Sequence, residues 1–285
     1  MSIRLVRLRD LEPSDKSTLE ERLTKFYQTT PALYYQIADQ SAEQYVSTLQ
    51  PFHCDLVSRI APGTKVVELG CGSAHLCRQV EKMGGVYLGV DHDEHLLQRN
   101  RERFPRARFL PLSAKLDEQF DVVASLYTIE HVVDPPHYLK TMWNFCKPAG
   151  LIAIICPDFV DGESLPPSVF YGTTPRRLRE KILSLAFGDL IEHCIDLFWR
   201  AERWKRRLRM EKPGAFWINL RPRVLHGANY SIDADAVHLS RLQDISGWLE
   251  NHGASILATS RSMKNVPESV LRFNCYVVAQ KPPQT

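Results

Sequence analysis

The sequence predicts an α/β fold in which a mostly parallel sheet carries helices on both faces. Two observations lead there. Short runs of apolar, β-branched residues alternate with helical stretches across short turns. The run Lys65-Val-Val-Glu-Leu-Gly-Cys-Gly-Ser-Ala74 ends a strand in a Gly-x-Gly turn, from which a helix, Ala74 to Met83, departs. Val66 and Val67 suit a strand covered on both sides. Gly70 and Gly72 allow a tight turn and let a ligand approach the backbone with no Cβ in the way.

In chain order, residues 17 to 60 read as helices. Leu19, Leu23 and Phe26 keep helical spacing, and Ala42 to Ile60 does so again until Pro62-Gly63 stops it. Candidate strands follow at Lys65–Leu69, Val86–Val90, Ala107–Leu110, Phe120–Leu126, Leu151–Cys156, Ser255–Thr259 and Phe273–Ala279. A short helix is expected from Ala114, capped by Ser113, and Asp134 caps another from Pro135 to Cys146. The stretch from Pro157 to about Asp235 is too long for a plain connection and must carry structure of its own. Pro175, after the cap candidates Thr173 and Thr174, starts a helical run reaching Met210 with a break near Gly188.

The residues around the glycines select the ligand. A dinucleotide fingerprint needs a third small residue to bring helix and pyrophosphate together, and here that position is His75. Glu68 sets a carboxylate beside the loop, which disfavours a phosphate and suits a cationic ammonium end. Gly89-Val90-Asp91 closes the next strand with an acid suited to ribose hydroxyls. An adenosine ligand that is cationic and lacks phosphate is S-adenosylmethionine (SAM).

On four segments the chain resembles the class I SAM-dependent methyltransferases of the small-molecule type that includes the ubiquinone, menaquinone and biotin-pathway enzymes. They are Glu68-Leu-Gly-Cys-Gly72, Leu88-Gly-Val-Asp91, Phe120-Asp-Val-Val-Ala-Ser-Leu-Tyr-Thr-Ile-Glu-His-Val-Val-Asp134, and Lys147-Pro-Ala-Gly150 leading into Leu151–Cys156. The likeness is good from about residue 40 to 157 and loose over the C-terminal fifty. It implies a Rossmann-like, doubly wound, seven-stranded sheet with a reversed last strand, N-terminal helices and a helical lid insertion. The expected units are an N-terminal helical cap (1–60), the SAM-binding core (61–157), a lid or substrate insertion (158–235) and the C-terminal part of the core (236–285). It also implies a SAM site formed by Glu68, Gly70, Cys71, Gly72, Asp91, His92, Ser113, Tyr127 and Thr128. Family members often carry an acid near the adenine where this chain has Ser113.

For the acceptor the sequence offers candidates. Oxygen methylation calls for a base, and His131, His226 and His238 are the histidines near the expected cleft, with His238 ranked slightly first. Each taken singly is more often a core or cap residue. Between Tyr171 and Lys212 there are eleven Lys and Arg against six Asp and Glu, so this segment's +5 exceeds the chain's +3. Phe187, Phe198, Trp199, Trp204, Phe216 and Trp217 interleave with that charge. The segment reads either as a solvated helix face or as a mouth for an anionic or amphipathic acceptor, with Arg206, Arg207 and Tyr230 as contacts.

The preferred function is methyl transfer from SAM to a small-molecule hydroxyl, on a saccharide or specialised metabolite. Its rivals are RNA or protein methylation through the basic segment and a non-catalytic SAM-binding scaffold. Against nucleic acid, the basicity is local and no RNA-binding module is appended. Asp134-Pro-Pro-His-Tyr138 mimics an amine-methylation motif, but it lies past the strand end where that motif belongs. Asp158, Asp161 and Glu163 are read as a solvated hinge, not a metal site. Seven cysteines without a C-x-x-C pair, a charged N-terminal stretch and no apolar run of membrane-spanning length predict reduced thiols, no structural metal and a cytoplasmic protein.

Overall fold

The computed structural model describes residues 4–28, 50–162, 165–166, 178–222, 233 and 235–284. The chain opens with a strand, β1 (Leu5–Arg7), and helices α1 (Pro13–Gln28) and α2 (Pro51–Ser58). Strands and helices then alternate: β2 (Lys65–Leu69), α3 (His75–Lys82), β3 (Val86–Asp91), α4 (Glu94–Arg103), β4 (Arg108–Pro111), β5 (Phe120–Leu126), α5 (Pro135–Phe145) and β6 (Cys146–Pro157). The insertion holds α6 (Leu178–Leu183), α7 (Phe187–Ile195), a π turn over Asp196–Arg200, α8 (Ala201–Met210) and β7 (Trp217–Asn219). The chain closes with β8 (His238–Leu239), α9 (Leu242–Asn251), β9 (Ser255–Thr259), α10 (Glu268–Phe273) and β10 (Asn274–Gln280).

The main sheet has the order β4-β3-β2-β5-β6-β10-β9. Its first five strands are parallel, and β10 runs antiparallel to both β6 and β9. Alternation along each strand divides the core in two. Val67, Leu69, Val123, Ile152, Ile154 and Val277 face one layer of helices, while Val66, Val122, Ala124, Ala153 and Ile155 face the other. Asp134 caps α5 by accepting from the His137 amide at 3.1 Å, as its position before Pro135 predicts.

Three expectations change. No helix starts at Ala114, because residues 112 to 114 form a turn closed by the Ala114 amide on the Pro111 carbonyl. The Lys147–Gly150 turn is absorbed into β6 as an irregularity in its pairing with β5, with Ala149 at φ 60°. A second sheet, unforeseen, joins the chain's start to the end of the insertion in the order β1-β7-β8. The helices expected over residues 29–49 and at Pro175 lie outside the described residues.

Candidate active site

The order of the main sheet reverses at β2, whose neighbours β3 and β5 lie on opposite sides. At such a switch point the loops diverge and leave a crevice beyond the carboxyl ends of the strands. The Gly70–Ala74 loop fills one wall of it. Gly70, Gly72 and Ala74 all have positive φ. The Gly70 and Cys71 amides donate to the Val90 carbonyl, and the Gly72 amide donates to Asp91 Oδ2 at 2.8 Å. Asn100 Nδ2 holds the Gly72 carbonyl at 2.7 Å. The loop is thus pinned both to the end of β3 and to α4.

Gly70 and Gly72 serve different ends. A Cβ on Gly70 would lie 2.3 Å from Thr128 Cγ2, so Thr128 seals one side of the turn and donates its hydroxyl to the Gly70 and Leu126 carbonyls. A Cβ on Gly72 would meet nothing within 4 Å, which leaves backbone facing open space beside the Asp91 carboxylate. That cradle, with an acid at the end of the next strand, fits a nucleoside ligand. Burial pushes the Asp91 carboxyl up, and the Gly72 and Asp93 amides that it accepts from pull it back.

Glu68 stands near the end of β2, two residues before Gly70. It is buried, and its carboxylate accepts from the Tyr87 hydroxyl beneath the loop. Burial raises its pKa to about 8. Its bond to Tyr87 supports the loop from below. Cys71 is buried under the same loop, whereas His92 and Ser113 are exposed at the ends of β3 and β4. Tyr127 follows β5 at φ 53°, its amide on the Ile155 carbonyl, and stacks at 6.3 Å on His53. His53 escaped sequence reasoning because it sits in the interior of α2, where nothing marks it. It is buried with both ring nitrogens lacking a partner among the described residues, and burial lowers its pKa to about 4.

A second cluster forms where the chain returns from the insertion. His131 Nδ1 lies 3.4 Å from Asp235 Oδ2, and Asp235 also accepts from the Tyr27 hydroxyl at 2.6 Å. The Tyr27 and His131 rings meet edge to face at 6.2 Å. Glu130 is wholly buried, with neither carboxylate oxygen partnered among the described residues, and burial holds its pKa well above the usual range. Asp233 is raised to about 6 by burial, although His131 opposes the shift. One ligand atom each from Glu130, His131 and Asp233 falls within 4.8 Å of the others, so the cluster can share protons or hold a cation. Sequence reasoning singled out His131 but not Tyr27, which lies 104 residues upstream of it.

The other acceptor candidates separate. His238 has no exposed surface, places Nδ1 3.3 Å from the Ile129 carbonyl and packs on Phe216. Burial lowers its pKa to about 4, the behaviour of a neutral core histidine, and this reverses its rank against His131. Arg206 pairs with Glu202 on the surface, and the Arg207 guanidinium lies over the Trp204 and Trp217 rings. His226 and Tyr230 lie outside the described residues. Asp161 of the hinge pairs with Arg241 and Arg261 at 3.3 and 3.1 Å, so its charge is already met. It lines a cavity of about 840 Å³ together with Asp158, Arg209, Arg261 and Arg272.

Comparison with known proteins agrees with this architecture. A family described as "Methyltransferase domain" matches residues 45–265. A ubiquinone biosynthesis O-methyltransferase of Ruegeria pomeroyi is 32% identical over 97 residues, 31% of this chain and 39% of that protein. One of Methylococcus capsulatus is 29% identical over 142 residues, 47% of this chain and 53% of its own length. The chain thus spans about half or less of these relatives. The crystal structure of Burkholderia thailandensis 1,6-didemethyltoxoflavin-N1-methyltransferase, with that compound and S-adenosylhomocysteine bound, covers 95% of this chain and 91% of its own. Its TM-score is 0.52 at 13% identity, a likeness of fold.

Proposed function

The chain belongs to the methyltransferase-domain family, and from that premise we propose that it transfers a methyl group from SAM to a hydroxyl oxygen of a small molecule. The observation that carries the oxygen is the His131–Asp235–Tyr27 array beside the β5 end of the crevice. SAM supplies an electrophilic sulfonium methyl. The residues supply the rest. Asp91 offers its carboxylate to ribose hydroxyls, and the Gly70–Gly72 backbone gives the room for them.

For the acceptor, a hydroxyl must lose its proton as the oxygen takes the methyl. Asp235 Oδ2 lies 3.4 Å from His131 Nδ1, an ion-pair distance without hydrogen-bond geometry, and Nε2 is the nitrogen left to take that proton. Nε2 lies 4.0 Å from Glu130 Oε1, beyond hydrogen-bond distance, and the side chain keeps 18% exposure through which an acceptor can reach it. Names among the relatives favour an O-methyl product as well. A saccharide or specialised metabolite remains the acceptor class proposed for the insertion's mouth.

The test is to replace His131 and Asp235 separately by Asn and to assay with labelled SAM against a panel of hydroxylated and amine acceptors. Each change should lower kcat by about 10²-fold or more while SAM affinity stays within threefold. Near-normal kcat in H131N, or better turnover of amines than of hydroxyls by the parent protein, would refute base-assisted O-methylation.

A further inference from the structure

The insertion carries an exposed apolar stripe. Phe187, Ile191, Ile195 and Trp199 recur every fourth residue from α7 through the π turn, and Phe198 adjoins them. Phe187, Ile191, Phe198 and Trp199 are each 60% exposed or more, and Leu183, in the approach to α7, is 83% exposed. Soluble chains seldom leave so many large apolar side chains together in water.

What continues the stripe identifies its partner. The Arg203 guanidinium lies over the Trp199 ring at 5.7 Å, so the same face runs on into α8 as Arg203, then exposed Arg206, which also pairs with Glu202, and Met210. The opposite face of α8 is the anchored one. Ala201, Trp204 and Leu208 pack there with Leu5, Val160 and Trp217. One side of this unit is therefore fastened to the protein, and the other offers an apolar band ending in cations with a tryptophan at the border. That is the layout of a helix lying in a membrane interface, where apolar side chains enter the acyl boundary and cations meet anionic headgroups.

We propose that the outer face of residues 187–206 docks on an anionic lipid surface. The cations bordering the apolar band favour an anionic lipid surface, and a second copy of the chain is the alternative that the test distinguishes. The proposal does not depend on the identity of the acceptor.

The test is flotation of the purified full chain with phosphatidylcholine vesicles, alone or mixed with phosphatidylglycerol. The chain should float with the anionic vesicles, bind the neutral ones more weakly and release as salt rises. The double variant Phe198→Ser, Trp199→Ser and the single variant Arg203→Glu should each lower partitioning by about tenfold. Because these side chains are exposed, both variants should keep the circular dichroism and SAM affinity of the parent, so lost flotation reads as lost docking. The proposal is overturned if the parent floats with neither vesicle, or if the variants float as it does. It is equally overturned if the parent is a dimer that ignores vesicles and the double variant is a monomer, which would give the face to a second copy.

Discussion

Replacing Glu68 by Gln should make the protein more resistant to alkaline pH. Glu68 is buried beneath the cofactor loop, and its pKa rises from 4.5 to about 8, first through burial and then through the nearby Asp91 charge, against the Tyr87 bond. In the unfolded chain this carboxyl ionises near its ordinary value, while in the fold it holds its proton much longer. The wild type therefore loses stability as pH rises from about 4.5 to about 8, where the folded group ionises in turn. At 1.36 kcal/mol for each tenfold change in proton affinity, the whole loss is on the order of 5 kcal/mol, of which a relaxing native state would recover part. Glutamine keeps the shape, accepts from Tyr87 and does not titrate. Urea unfolding of both proteins at three pH values across that window should show the advantage of E68Q growing by about 2–5 kcal/mol and levelling above pH 8. A stability difference independent of pH would mean that Glu68 is ionised in the fold, and the account of it as a neutral support would be wrong.

Other perturbations act on neighbouring parts. Gly70→Ala puts a Cβ 2.3 Å from Thr128 Cγ2 at a φ of +75°, so it should cost roughly 3 kcal/mol or more and abolish SAM binding. Adding Thr128→Ala removes the closest overlaps and should recover part of the stability, measurable as melting temperature; no recovery would place the strain elsewhere. His238 is held neutral with its pKa lowered from 6.5 to about 4, so its contribution is intact above pH 6.5 and is lost as pH falls toward 4. His238→Gln should flatten that acid slope by up to about 3 kcal/mol, whatever its effect at neutral pH, and an unchanged slope would contradict the burial argument.

The sequence was most legible where one local signal has one structural solution. β5 and β9 match their predicted bounds, and Asp134 caps α5, because alternation and an acid before proline leave few alternatives. The second sheet was hidden because β1 and β7 have three residues each and β8 two, too short for a period to show, and β1 pairs with β7 across more than 200 positions. The site followed the same rule. Asp91 and the glycines lie in two short local motifs at the ends of successive strands, whereas Tyr27 from α1 and Asp235 from the return of the insertion reach His131 only through the fold. Glu68 bonds to Tyr87, a partner that its sequence proximity to the loop does not reveal.

Calorimetric titration of SAM into the wild type and Asp91→Ala tests the central claim, that the crevice between β3 and β5 is a SAM site. Asp91 lies at the open side of the Gly72 cradle, and its loss removes charge-assisted hydrogen bonds worth about 1.5–3 kcal/mol. The account predicts one site in the wild type and a ten- to hundred-fold weaker one in the mutant, with the fold preserved. No binding by the wild type, or equal affinity in both proteins, would contradict it.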